Sequence, residues 1–228
     1  MTGIGAVLYP VILKIPSTHQ MTDRRKRTPC LSRLARHALV RSVFVSGFSG
    51  PEWPCPDSDP ERLDQIIFPK DADGAPLPMS GIYWSLSHKP EVVGGVAATA
   101  PVGIDLETVR PVHSGLFSKI ADEAEWALFP DGKTQMNFFR VWTAKEAVIK
   151  AVGVGFAGIF RCRVKAVADN TRMTLIFDAI PWQVQHHFFD RYMAAITVPS
   201  GVTVSWQIVG QISDLSPEIT PPASSPFR

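Results

Sequence analysis

Cysteine is scarce in this chain and is widely spaced. Three cysteines occur among 228 residues, at Cys30, Cys55 and Cys162, and they form neither a CxxC pair nor a Cys/His group. Zinc sites and disulfide frameworks need closely grouped cysteines, so the spacing predicts neither. So few cysteines suit the reducing cytoplasm, and we predict that location.

A strong charge of one sign and a long apolar run are also missing. The formal net charge is +2, whereas a general nucleic-acid binder carries a basic excess. The apolar start MTGIGAVLYPVILKIPSTHQ is interrupted by Pro10, Lys14 and Pro16. It is too short to cross a bilayer and lacks the basic segment of a secretion signal. We expect a strand or extended segment there, with a cleaved leader as the alternative, and neither nucleic acid nor a membrane as a partner.

Helical and strand patterns are mixed along the chain, without repeats. Apolar spacing predicts a helix within residues 23–44, another near 118–129 and a long buried helix over 138–152. Residues 82–107 are typical of two strands around a turn. Because strands and helices do not alternate regularly, the pattern indicates the α+β class.

The last third of the chain has a different pattern. Alternation of apolar and polar residues after Arg161 predicts four strands, which we expect to pair antiparallel, with a turn at His186–His187. The end is rich in proline and serine, which predicts a disordered tail over 213–228.

Two acids alternate in the stretch VGIDLE, residues 102–107. In a strand Asp105 and Glu107 point to one side, about 7 Å apart, while Ile104 and Leu106 point to the other. Such carboxylates repel each other unless a cation lies near them. The alternatives are a solvent-facing edge strand and a site for a hard divalent cation, which prefers oxygen ligands.

A second unusual stretch is VWTAKEAVIK, residues 141–150, where Lys145 and Glu146 interrupt an apolar helix. On a helical wheel Lys145 falls on the apolar arc and Glu146 between apolar neighbours. A charge in such a place must be paired, bound to a ligand or long enough to reach solvent. One alternative is an ion pair between Glu146 and Lys150. The other makes Glu146 a third oxygen ligand, with Lys145 and Lys150 opposing the charge of a bound phosphate or pyrophosphate.

Other polar residues are less specific. Ser87 and His88, in WSLSHK, are structural residues or donors to a phosphate. Lys70 and the basic run 24–27 fit a solvated face. Acids in ADEAEW suit the start of a helix, and a catalytic role for one of Asp122, Glu123 and Glu125 is the alternative.

In this order, the motifs SLSHK, GIDLE and FFRVWTAKEAVIKAVGVGF resemble the 4′-phosphopantetheinyl transferases, in the branch that activates surfactin and enterobactin synthetases. The motifs span residues 84–156. The resemblance implies a monomer of two similar α+β halves related by a pseudo-twofold axis. We place the halves at 1–108 and 109–212.

The resemblance also implies a reaction. Family members move the phosphopantetheine arm of coenzyme A onto a serine of an apo acyl or peptidyl carrier protein and release adenosine 3′,5′-bisphosphate. Asp105, Glu107 and Glu146 match the ligands of Mg²⁺, for which Mn²⁺ is a substitute. His88 matches a residue at the 3′-phosphate of coenzyme A, and we place Ser87 beside it.

Further roles follow from the same resemblance. Lys145 and Lys150 match lysines at the pyrophosphate and the leaving group. Lys70 precedes a turn at which some members use a lysine on coenzyme A. The remaining residues that we expect to bind coenzyme A are Arg25 and Arg33. For the proton of the carrier serine we expect Glu146, or Glu125 through water, to act as the base.

Two other functions compete with the transferase. One is a protein that binds coenzyme A or a carrier without catalysis, and the other is a metal-dependent hydrolase of nucleotide pyrophosphates. The complete set of three acids and two lysines favours the transferase. The sequence does not distinguish fatty-acid, polyketide and nonribosomal-peptide carriers as the partner.

Overall fold

The computed structural model describes residues 6–16, 24–56, 63 and 65–210, with 24–26 described by their backbone alone. It contains several strands and few helices, which confirms the predicted mixture of α and β elements. The predicted tail over 213–228 lies outside the described residues. The pseudo-twofold relation between halves stays a prediction.

Strands and helices are numbered along the chain. The strands are β1 (Val7–Leu8), β2 (Val11–Lys14), β3 (Tyr83–Lys89), β4 (Val92–Ala98), β5 (Ile104–Thr108), β6 (Cys162–Val167), β7 (Arg172–Phe177), β8 (Ile180–Phe189), β9 (Tyr192–Val198), β10 (Thr203–Val204) and β11 (Gln207–Val209). The α-helices are α1 (Arg24–Val45), α2 (Glu123–Trp126) and α3 (Gln135–Val152), and two 3₁₀ turns lie at Ser114–Lys119 and Phe156–Gly158.

The first main sheet has four strands in the order β11–β2–β4–β3. Its central strand β4 has the sequence VVGGVAA and is buried throughout. A Cβ added at Gly95 would lie 2.4 Å from the backbone nitrogen of Leu39, so glycine allows α1 to pack directly on this strand. Ser42 ties α1 to its neighbours, since its hydroxyl donates to Tyr9 O at 2.6 Å and accepts from Ala97 N at 3.0 Å.

The second main sheet has five antiparallel strands in the order β5–β9–β8–β7–β6, and α3 packs across it. The helix begins after Thr134, whose hydroxyl accepts a hydrogen bond from Asn137 N at 3.1 Å. It ends at Gly153, whose φ of 80° is left-handed and therefore favours glycine. Most side chains between these caps are buried, as predicted for 138–152.

Several local predictions were wrong. Residues 82–107 form three strands rather than two, because the third, β5, leaves its neighbours and pairs with β9. The predicted helix at 118–129 is divided into a 3₁₀ turn and the short α2. His186 and His187 lie inside β8, and the turn comes at residues 190–191, where Asp190 has a positive φ.

The C-terminal strands were also predicted with the wrong partners. Instead of continuing the antiparallel sheet, β10 and β11 run parallel to β1 and β2 at the other end of the chain. The predicted division at residue 108 stays a prediction. Strand pairing crosses this position in both directions, because β5 joins the second sheet while β10 and β11 pair with β1 and β2. Within the described ranges, no helix combines the length and the hydropathy needed to cross a membrane.

Candidate active site

The two main sheets meet where their edge strands β3 and β5 lie side by side. The strands are joined by serine side chains: Ser85 Oγ accepts a hydrogen bond from Ile104 N at 3.1 Å, and Ser87 Oγ accepts one from Leu106 N at 3.0 Å. Serines two residues apart share one side of a strand. The SLS part of the motif therefore fixes the register of β3 against β5.

Asp105 is buried at this junction and is held by two donors. Its Oδ1 accepts hydrogen bonds from Ser87 Oγ at 3.0 Å and from Lys150 Nζ at 2.7 Å. Its Oδ2 is also buried and has no hydrogen-bond partner among the described residues. A buried charged oxygen without a donor is unfavourable, so Oδ2 is a position at which a cation would be stabilised.

Glu107 lies two residues further along β5. Its Oε1 accepts hydrogen bonds from Lys89 Nζ at 2.7 Å and from the indole nitrogen of Trp142 at 3.0 Å. Trp142 belongs to α3, so this carboxylate links β3, β5 and the helix. The structure thus pairs Glu107 with a lysine that follows the SLSH motif directly.

Glu146 projects from α3, is half-buried and lies in the field of the other two acids. Burial raises the pKa of its carboxyl, and the charges of Asp105 and Glu107 raise it further, while Lys150 and Lys89 oppose this. The sequence offered an i,i+4 ion pair between Glu146 and Lys150 as an alternative. In the structure the Lys150 ammonium contacts Asp105 instead.

His88 adds an imidazole close to these charges. Partial burial lowers the pKa of His88, and the ammonium groups of Lys150 and Lys89 lower it further. The ring is therefore mainly neutral near pH 7 and is able to donate one hydrogen bond. We call the set of His88, Lys89, Asp105, Glu107, Glu146 and Lys150 the mixed-charge cluster.

Lys145 and Glu125 lie in a separate, buried ion pair. Lys145 Nζ is 2.8 Å from Glu125 Oε1 and donates to Ile120 O at 2.6 Å. Glu125 also accepts hydrogen bonds from Val164 N at 2.8 Å and from Asp122 N at 3.2 Å, and burial lowers the pKa of Lys145. The sequence predicted that Lys145 contacts the pyrophosphate and offered Glu125 as a base for the carrier serine. The structure instead buries both groups: the Lys145 side chain is 1% exposed, and both groups already have partners.

The other predicted coenzyme ligands are spread more widely. The structure buries the Ser87 hydroxyl inside the junction, which differs from the predicted contact with coenzyme A. Lys70 is exposed at the base of a hairpin that reaches the end of α3, where a Cβ on Gly153 would lie 3.6 Å from Ala75 Cβ. Arg33 is half-buried on α1, and the side chain of Arg25 lies outside the described residues.

The donor atoms suit a hard divalent cation, although they are not gathered as a metal site. In the part of the chain that the structure describes, no three His, Cys, Asp or Glu side chains are grouped closely enough to hold a metal ion. Lysines hold one oxygen of Asp105 and one of Glu107. Carboxylate chemistry and the unpartnered Asp105 Oδ2 nevertheless fit Mg²⁺ or Mn²⁺.

Lys89 and Trp142 were missed as functional residues by sequence reasoning. Alternation along β3 contains a signal for Lys89, since it lies two residues after Ser87 and four after Ser85, on the side that meets β5. Trp142 precedes Glu146 by four residues and so lies on the same face of α3.

The sequence model of the 4′-phosphopantetheinyl transferase superfamily matches residues 101–197, which contain Asp105, Glu107, Glu146 and Lys150. This segment belongs to the 4′-phosphopantetheinyl transferase superfamily. The predicted resemblance is thereby confirmed for this segment, which contains two of the three motifs.

Individual relatives agree. The chain is 34% identical over 128 residues to the 4′-phosphopantetheinyl transferase psf-1 of Bacillus pumilus, covering 54% of this chain and 52% of the relative. It is 36% identical over 134 residues to the 4′-phosphopantetheinyl transferase HetI of Nostoc sp., again covering 54% and 52%. The chain thus spans about half the length of these two 4′-phosphopantetheinyl transferases. A 24% identity to ffp of Bacillus subtilis extends over 66% of this chain and 71% of the relative.

Proposed function

We propose that this protein transfers the 4′-phosphopantetheine group of coenzyme A to a serine of an apo acyl or peptidyl carrier protein. The observation that carries the proposal is the mixed-charge cluster, most of which lies within the segment that matches the family. Carboxylates for a divalent cation and ammonium groups for phosphates meet there at one junction. Transfer of a substituted phosphate needs both.

Asp105, through its unpartnered Oδ2, and Glu146 would supply the oxygen ligands of the cation. Glu107, the third predicted ligand, is held by Lys89 and Trp142. Bound Mg²⁺ would neutralise part of the charge on the pyrophosphate of coenzyme A and so ease attack at phosphorus.

The cationic side of the cluster faces an anionic substrate. Lys150 lies at Asp105 and is 28% exposed, so its ammonium is able to contact the pyrophosphate and to stabilise the departing adenosine 3′,5′-bisphosphate. A neutral His88 donates a hydrogen bond to the 3′-phosphate. Lys70, on the hairpin beside the end of α3, extends the phosphate-binding surface.

In the reaction the serine oxygen of the carrier forms a bond to phosphorus, and the bond from phosphorus to adenosine 3′,5′-bisphosphate breaks. Glu146 accepts the serine proton. A carboxylate has two oxygens, so one oxygen of Glu146 would bind the cation while the other accepts the proton. Both oxygens of the alternative base, Glu125, already accept hydrogen bonds inside the protein.

Mass spectrometry of an apo carrier protein tests this proposal. The carrier is incubated with the full chain, coenzyme A and Mg²⁺, with and without EDTA, and with Asp105→Asn in place of the native chain. The matched control is Asp190→Asn, which removes an exposed carboxylate paired with Lys14. We expect the native chain and the control to add one phosphopantetheine group, and EDTA or Asp105→Asn to prevent the addition.

Other outcomes would favour the competing functions. Binding of coenzyme A without modification of fatty-acid, polyketide and nonribosomal-peptide carriers would favour a binding protein. Release of free phosphopantetheine in the absence of a carrier would favour a hydrolase. Elution of the active chain as a monomer in size-exclusion chromatography would support the predicted oligomeric state.

A further inference from the structure

Lys89 occupies a defined place in the β3–β5 junction. Ser85, Ser87 and Lys89 follow each other at intervals of two along β3, so their side chains share the side that meets β5. The two serines accept from Ile104 N and Leu106 N, and Lys89 donates to the Glu107 carboxylate. The register that the serines set therefore delivers the ammonium to Glu107.

The environment of this ion pair favours a stable contact. The Glu107 side chain is 14% exposed and that of Lys89 is 30% exposed, with 2.7 Å between Nζ and Oε1. The indole of Trp142 donates to the same oxygen at 3.0 Å. Glu107 thus already has both a counter-charge and a second donor from the protein itself.

The other two acids have no comparable arrangement. Asp105 has one oxygen held by Lys150 and Ser87, while its buried Oδ2 has no partner among the described residues. No hydrogen bond or ion pair to the Glu146 side chain occurs in the described part of the chain. Among the described residues, Glu107 therefore has a counter-charge and a second donor on one oxygen, whereas Asp105 Oδ2 and the Glu146 carboxylate have neither.

We propose that Lys89 is an internal cation that replaces the metal ion at Glu107, so that Asp105 and Glu146 alone supply the protein's ligands to the divalent cation. This inference rests on the proposed function and deepens it. Lys89 also repels the divalent ion, because like charges at short range raise each other's free energy. The protein thus binds its metal more weakly than three free carboxylates would.

Binding of Mn²⁺ to the full chain, without coenzyme A or carrier, tests the proposal. Electron paramagnetic resonance measures the concentration of free Mn²⁺ during a titration. We expect Lys89→Gln to lower the Kd for Mn²⁺ about tenfold, because it removes the repulsion and frees Glu107 as a ligand. Lys89→Arg, which keeps the charge, should bind within about twofold of the native chain.

A matched control removes a lysine elsewhere. Lys133 pairs with the exposed Glu123 and precedes α3, whereas Glu146 lies about 16 Å along the helix from its first residue. Lys133→Gln changes the net charge as Lys89→Gln does, and we expect no change in Kd beyond about twofold. Circular dichroism confirms that each variant is folded.

Glu107→Gln supplies the decisive comparison. In the native background it removes a charge near the site but no ligand, so we expect the Kd for Mn²⁺ to rise by about threefold or less, while in the Lys89→Gln background it should abolish the tenfold gain. A tenfold weakening by Glu107→Gln alone, an unchanged Kd in Lys89→Gln, or no Mn²⁺ binding by the native chain would each overturn the inference. Carrier modification is scored separately, so a chain that transfers phosphopantetheine but fails these titrations refutes the role of Lys89 alone.

Discussion

Lys150 Nζ lies 2.7 Å from Asp105 Oδ1 and 3.1 Å from the carbonyl oxygen of Ile104, and these contacts join the last turn of α3 to the first residues of β5. Ser87 holds the same Asp105 oxygen from the other side. The aspartate is thus fixed by elements of both sheets, with its second oxygen left for a ligand.

Replacement of Lys150 by Met should affect both stability and transfer. Loss of the ammonium leaves the buried Asp105 with one donor fewer, and we expect the free energy of unfolding to fall by about 1–3 kcal/mol. Transfer to the carrier should fall at least about 100-fold, because the leaving phosphate loses its ammonium. Urea denaturation and single-turnover transfer at saturating coenzyme A measure the two effects, with Lys133→Met as the control. An unchanged transfer rate would remove Lys150 from the reaction.

The buried pair of Lys145 and Glu125 should act as a structural unit. Lys145→Met leaves Arg163, at 3.1 Å from Glu125 Oε2, as the remaining counter-charge of the buried carboxylate, so it should lower the free energy of unfolding by about 1–3 kcal/mol. The double variant Lys145→Met with Glu125→Gln should lose less than the sum of the single changes. Urea denaturation of the four proteins gives this coupling.

The same variants test the roles that the sequence predicted for the pair. If Lys145→Met keeps native stability and instead raises the KM for coenzyme A, the lysine contacts the substrate. If Glu125→Gln is folded and retains the chemical step at high pH and saturating Mg²⁺, Glu125 is not the base.

Stability should depend on pH through His186. The ring is fully buried between Arg140 O and Thr171 O, and burial lowers its pKa to about 4. An unfolded histidine has a pKa of about 6.5, so between these values the unfolded chain binds more protons than the folded one. The stability from His186 is therefore complete above about pH 6.5 and is lost as the pH falls toward about 4.

This contribution should reach about 2 kcal/mol between pH 7 and pH 5. Urea denaturation at the two pH values, compared between the native chain and His186→Gln, isolates the contribution because other groups titrate in both proteins. Equal pH dependence in the two proteins would show that His186 titrates normally.

Gly103→Ala should disturb the fold strongly. A Cβ at this position would lie 1.9 Å from Ala147 O and 2.8 Å from Ala151 N, both backbone atoms of α3. The helix must move away from β5, and we expect a loss of about 3 kcal/mol or more. Gly155→Ala is the control, because nothing lies within 4 Å of its added Cβ. Its free energy of unfolding should fall by about 0.5 kcal/mol at most. Thermal melts of both variants measure the difference, and equal Tm values would contradict the close approach of α3 to Gly103.

Sequence patterns predicted the parts of the fold that local structure determines. The buried helix α3 follows from the apolar residues that surround nearly all of the segment 138–152, and β5 follows from the alternation around Asp105. The pairing of β11 with β2 joins residues almost two hundred positions apart. No local pattern encodes such a partner, so the last of the four predicted strands, which the structure divides into β10 and β11, was given the wrong neighbours, and β8 was not predicted as a strand.

The candidate site was predictable to a similar degree. Asp105, Glu107 and Glu146 are noticeable in the sequence because acids interrupt apolar segments, and they do share one electrostatic environment. That Lys145 turns toward Glu125 while the adjacent Glu146 turns toward Asp105 depends on how α3 rotates against both sheets. His186 gave no signal, because its partners are backbone carbonyls of distant residues.

The serine contacts of the junction also close the edge of the second sheet. β5 is the outer strand of its sheet, and the N–H groups of Ile104 and Leu106 face β3 rather than a further strand. Ser85 and Ser87 accept hydrogen bonds from these donors, and all four residues are buried. A chain with alanine at both serine positions would leave two buried N–H groups without an acceptor, so we expect the two sheets to separate more easily beside the candidate site.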